Sequence, residues 1–215
     1  MSSYKMFIFF LFSMFLGAAL QLTNMYGDVF LDEFKYVTEY ADSIVVKYST
    51  IFMSISQGSE TLFILAIPFF LKRFGIKKVM LMSMFAWVLR FGLFSYGNPG
   101  GFLWMIILSN IIYGMAFDFF NISGSLFVET ETPTKYRGSA QGLFMMMTNG
   151  FGAIIGSVVS GFIIKEFFMS TGGERDWPGI WITFAAYALV VAFLFMILFR
   201  HKHNPKDPAL QNVSH

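Results

Sequence analysis

Long, nearly charge-free apolar runs alternate along this chain with short polar segments, and the alternation predicts six membrane-spanning helices. The runs cover about 6–25, 50–71, 78–97, 102–127, 141–165 and 179–200, each close to the roughly 20 residues that cross a bilayer core. Between the first two, Asp28, Asp32, Glu33, Glu39 and Asp42 make an acidic extramembrane loop with room for a short helix. Lys72-Arg73, Gly75 and Lys77-Lys78 divide the second run from the third, and Gly97-Asn98-Pro99-Gly100-Gly101 closes the third. A charged loop from Glu129 to Arg137, containing Pro133, separates the fourth from the fifth. The first run reads as a span and not as a signal peptide. It is too long for a signal-peptide core, and Gln21 and Asn24 stand where a small-residue cleavage site belongs.

The expected fold is therefore all-α: a polytopic membrane domain over residues 1–204, with a polar cytoplasmic tail at 205–215. Composition agrees, since 56% hydrophobic, 20% aromatic and 13% charged residues leave too little polarity for a soluble domain and too little charge for disorder. The chain has no Cys, and its three His all lie at or after His201. Disulfides, thiolate catalysis and imidazole metal sites within the spans are thereby excluded, so no metal and no cofactor is expected. No nucleophile–base set supports an enzyme, and nothing points to a nucleic-acid partner.

Placement of the cations says more than the net charge of +2. When the spans alternate in direction, one face collects Lys5, then Lys72, Arg73, Lys77 and Lys78, then Lys135 and Arg137, then Arg200, Lys202 and Lys206. The other face keeps Lys35, Lys47, Lys165 and Arg175. Lys and Arg resist translocation, so both termini are expected on the cytoplasmic side of the membrane.

A shift of 97 residues aligns GAALQLTNMYG (17–27) with GMAFDFFNISG (114–124), pairing Gly17 with Gly114, Gln21 with Asp118, Asn24 with Asn121 and Gly27 with Gly124. The two segments lie in oppositely directed spans, as in a three-plus-three inverted repeat, and transporters place substrate sites where such repeats meet. Polar residues within the spans are costly and normally face a bundle interior or a wet cavity. Gln21 and Asn24 are one turn apart, as are Gln57 and Glu60, while Tyr113, Phe117, Asp118 and Asn121 follow helical spacing. Gln21, Asn24 and Asn149 are either interhelical hydrogen-bond glue or ligand contacts. Glu60 is paired with a cation such as Arg90, or protonated, or functional. Asp118 is either a structural partner for helix ends or a working acid. Arg90 is expected to snorkel or to pair with a carboxyl. Gly152, Gly156 and Ser160 read as a packing stripe, and Met145 to Met147 as core in preference to site. Amides, two acids and ring faces suit a neutral, planar, hydroxyl-rich solute.

The strings LGAALQLTNMYG (16–27), SISQGSETLFILAIPFFL (54–71), YGMAFDFFNISGSLFVE (113–129), SAQGLFMMMTNGFG (139–152) and the terminal VSH resemble the nucleoside:proton symporters of the major facilitator superfamily, specifically their C-terminal six-helix half. The resemblance implies nucleoside uptake across the cytoplasmic membrane, the inner membrane of a bacterium, driven by protons through alternating access. It implies substrate contacts from Gln21, Asn24, Gln57, Glu60, Tyr113 and Phe117, and proton coupling by Asp118 or Glu60, the two acids being interchangeable at this stage. Family members carry two such halves around a central cavity, so the expected partners beyond nucleosides, protons and lipid are a missing N-terminal half or a second copy. The rival expectation is a non-transporting membrane fragment or interaction subunit that docks to another six-helix half.

Overall fold

A computed structural model describes residues 2–201, with side chains from position 4. The tail at 205–215, with Lys202, Lys206 and the VSH string, lies outside the described residues. The helices are α1 (Ser2–Glu33), the short α2 (Ile44–Lys47), α3 (Ser49–Phe74), α4 (Ile76–Tyr96), α5 (Leu103–Glu131), α6 (Arg137–Met145), α7 (Ala153–Phe167) and α8 (Trp177–Leu198). A π-helical segment, Met146–Gly152, joins α6 to α7. These three run on as one rod, so six helical rods among the described residues are long and apolar enough to cross a membrane. The protein is a multi-pass, all-α membrane protein.

Local chemistry sets the ends. At Gly75 the backbone has φ +77, a conformation open to Gly at no steric cost, and α3 turns into α4 through that single residue. Pro133 forces Thr132 into an extended conformation (ψ 132), which stops α5. Asp176 caps α8 by accepting from the Gly179 N–H, with Pro178 in the first turn. The helix α1 continues past position 25 to Glu33 because Phe30 and Leu31 are buried against the bundle. Glu33 then ties that end to the start of α8, accepting from Trp177 Nε1 at 2.7 Å and pairing with Arg175.

The packing interleaves the two sets of three spans. α1 lies along the π segment and α7, α5 along α3, and α4 against both α5 and α8. Each of these pairings joins a helix of the first set to one of the second, as an inverted repeat requires. The glycines matched in sequence do matched work. A Cβ on Gly114 would sit 2.7 Å from the Ser59 carbonyl and the Glu60 nitrogen, and one on Gly17 would overlap the Thr148 carbonyl. Backbone thus meets backbone at α5 with α3 and at α1 with the π segment, the close approach small residues permit in membranes. Gly152 and Gly156 extend the second seam, against Met14 with Gly17 and against Ala18, and Ser160 shares a 3.1 Å hydrogen bond with Tyr26.

Rings fill the centre, with Phe9, Phe12, Trp87, Phe91, Phe94 and Trp181 all buried. Two rods are left largely uncovered. Over an apolar 18-residue stretch of each rod, the share buried is 22% in α3 and 28% in the rod through the π segment, against 44% or more in the other four.

Candidate functional site

The α3–α5 crossing organises the site. Ser59 donates to the Ser56 carbonyl at 2.7 Å and accepts from the Gly114 N–H at 3.1 Å, locking the two helices together. That fixes Glu60 beside Tyr113. One turn on from Gly114, Asp118 is 5% exposed, and its Oδ2 has no hydrogen-bond partner among the described residues. Tyr113 and Phe117, also one turn apart, stack with centroids 5.8 Å apart and planes 2° from parallel. Trp87 meets Tyr113 edge-on at 5.8 Å.

Behind this wall lies Arg90, fully buried. Its Nη1 donates to the Ser109 carbonyl at 2.7 Å and to Asn110 Oδ1 at 3.3 Å, and its Nε donates to Thr23 Oγ1 at 3.4 Å. The guanidinium carbon sits 4.7 Å from the Tyr113 ring centre and 4.8 Å from that of Phe94. Arg90 therefore neither snorkels nor pairs with Glu60. Carbonyl oxygens, the Thr23 hydroxyl and ring faces hold it, an arrangement available to a planar cation in a low-dielectric interior, while its Nη2 has no hydrogen-bond partner among the described residues. Ser56 donates to Asn110 Oδ1 at 3.0 Å, so a polar seam of Ser56, Ser59, Arg90, Ser109 and Asn110 binds α3, α4 and α5. Sequence reasoning missed this seam. Its available signal was Ser56 and Ser59 sharing a face with Glu60, with Ser109 and Asn110 one turn ahead of Tyr113.

On the other side of Phe117, a recess of only about 10 Å³ is lined by Leu16, Leu20, Trp87, Phe117, Asn121 and Thr148, among others. Leu20 brings α1 alongside, next to Gln21. Gln21 and Glu60 are half-buried, while Asn24 and Gln57 are exposed. None of these four side chains is hydrogen-bonded among the described residues, so within this chain they do not act as glue. Asn121 donates to the Phe117 carbonyl at 3.0 Å. Met145 and Met146 lie on the exposed side of their rod, at 55% and 49%, and not in the core, because the buried stripe there runs through Phe144 and Thr148.

A recess of about 850 Å³ lies elsewhere, among loop-end residues that include Glu33, Tyr36, Asn98, Arg175 and Trp177. Of the mid-span polar and aromatic residues, Asn24 and Gln57 are exposed and Gln21, Glu60, Tyr113 and Phe117 half-buried, forming a partly exposed wall with Asp118 buried within it. Such a wall offers ring faces for stacking, amides that donate and accept, and two carboxyls for hydroxyls or a proton.

Comparison with known proteins bears on that wall. The family described as Nucleoside H+ symporter matches residues 1–204. Nucleoside permease NupG of Escherichia coli (strain K12) is 54% identical over 212 residues, covering 98% of this chain and 50% of the permease. Xanthosine permease of the same organism is 55% identical over 213 residues, with the same coverage. The crystal structure of nucleoside transporter NupG superposes with a TM-score of 0.85 at 55% identity, covering 92% of this chain and 49% of that one. The chain spans about half the length of the curated relatives it matches.

Proposed function

The chain belongs to the nucleoside H+ symporter family, and from that membership and its partly exposed polar wall we propose that it acts as the C-terminal half of a proton-coupled nucleoside importer. The complete transporter works by alternating access in the bacterial cytoplasmic membrane, with both ends of this chain on the cytoplasmic side. A complementary six-helix half, or a second copy, supplies the opposing wall.

The observation that carries the reading is the stacked Tyr113–Phe117 pair, half-buried between the half-buried Glu60 and the buried Asp118 and sharing the mid-span region with the exposed amides of Asn24 and Gln57. Phe117 and Tyr113 pack against the base, while Gln21, Asn24 and Gln57 hydrogen-bond its edge or the ribose. Glu60 accepts from ribose hydroxyls, since a carboxylate takes two charge-assisted bonds. Asp118 carries the proton. A carboxyl buried in a span is costly when charged, and proton uptake with the substrate removes that charge for the crossing.

A non-transporting docking subunit is the second reading, favoured by the exposed apolar residues Leu62, Leu65 and Phe69 of α3 and Val158 and Phe162 of α7. Co-expression with a candidate first half, followed by uptake of labelled uridine and adenosine under an inward proton gradient, separates the two. Gradient-dependent accumulation supports transport, whereas a stable complex without uptake supports docking.

A further inference from the structure

The two backbone crossings make a second comparison possible. Gly114 of α5 meets Ser59 and Glu60 on α3, and Gly17 of α1 meets Thr148 in the π segment. Under the two-fold relation between the repeats, Thr148 is the counterpart of Ser59. The two side chains agree: both hydroxyls are buried, at 3% and 4% exposure, and both bond back to their own helix at 2.7 Å, Thr148 to the Phe144 carbonyl and Ser59 to that of Ser56. A proper rotation preserves the sense of a helix, so the residue following each hydroxyl takes a matching place beside the other repeat's first helix. After Ser59 that residue is Glu60. After Thr148 it is Asn149.

Asn149 sits mid-span, exposed, and among the described residues its Nδ2 reaches only the Met145 sulfur, at 3.7 Å. A thioether is a weak acceptor, and an amide left toward acyl chains has no partner to replace water. Val158 and Phe162, further along the rod, are among its exposed apolar residues. Residues 146–152 are π-helical, an irregularity frequent at functional sites.

We propose that Asn149 is a further substrate-contacting residue, presenting its amide to the nucleoside base as the counterpart of Glu60 in the other repeat. Glu60 can only accept when ionised and suits hydroxyls. An amide donates and accepts side by side and matches the alternating donors and acceptors of a base edge. The assignment rests on the transport reading above.

Two measurements on the co-assembled transporter test it. Asn149→Ala raises the uridine KM at least tenfold, with maximal rate and membrane level kept within twofold. The chain has no Cys of its own, so an impermeant maleimide reports on Asn149→Cys without background from this subunit. Saturating uridine slows that labelling at least threefold and leaves Val158→Cys unchanged. A uridine KM within twofold of the unaltered assembly overturns the assignment, as does labelling indifferent to uridine, or an effect of Asn149→Ala confined to association of the halves. In those three cases the unaltered assembly still transports. If the unaltered assembly takes up no nucleoside, the transport reading falls and this assignment falls with it.

Discussion

Arg90 is a buried cation whose partners are carbonyls and rings, with no carboxylate among them. Replacing it with Met keeps most of the volume but leaves the Ser109 carbonyl and Asn110 short of a donor, a loss of about 1–3 kcal/mol. The expected result is a lower thermal unfolding midpoint in detergent, with a raised uridine KM as Tyr113 loses the charge behind its ring. The two acids are expected to respond differently. Glu60→Gln loses the charge-assisted bonds and raises the uridine KM about tenfold, read from uptake kinetics. Asp118→Asn keeps nucleoside exchange but makes it indifferent to external pH; an unchanged pH dependence would reject Asp118 as the coupling acid. Glu60, Asp118 and the Tyr113–Phe117 pair were legible in sequence because charge and helical spacing stand out in an apolar run. The fate of Arg90 was not, since its partners include a backbone carbonyl on a helix that only the tertiary fold brings near.

At the scale of elements, everything turns on where helices touch. Gly114 has the Ser59–Glu60 backbone against it, whereas nothing lies within 4 Å of a Cβ placed on Gly92 of α4. Gly114→Ala is therefore expected to push α3 off α5 and cost about 1–3 kcal/mol. Gly92→Ala is expected to be neutral or to stabilise by about 0.5–1 kcal/mol through helix propensity. Paired thermal unfolding measurements check both; equal midpoints would contradict the crossing geometry. Six apolar runs made the number of spans readable, and a repeated Gly-to-Gly segment the relation between the first and the fourth; which helices pack together was not readable. The π segment was not readable, because it answers to contact with Gly17 and Met14 of α1 and not to the composition of residues 146–152. The continuation of α1 to Glu33 likewise depends on Phe30 meeting Phe94, Trp177 and Trp181, partners 64 or more positions away along the chain.

At the scale of the molecule, the chain spans about half the length of the relatives it matches, two of its rods are largely uncovered, and Asn24 and Gln57 of its polar wall are exposed. The account requires the uncovered faces to differ: amides and acids toward water, the apolar side of α3 toward lipid or a partner. Asn24→Cys and Gln57→Cys place thiols on the first face, and Leu65→Cys, 76% exposed in this chain, places one on the second. The decisive measurement is labelling of these three by an impermeant maleimide in the assembled transporter, with and without uridine. Modification of the first two from the aqueous side, slowed by uridine, with Leu65→Cys unreactive, is the expected outcome. Unreactive thiols at 24 and 57 beside a reactive one at 65 would mean that the wall faces away from any substrate path.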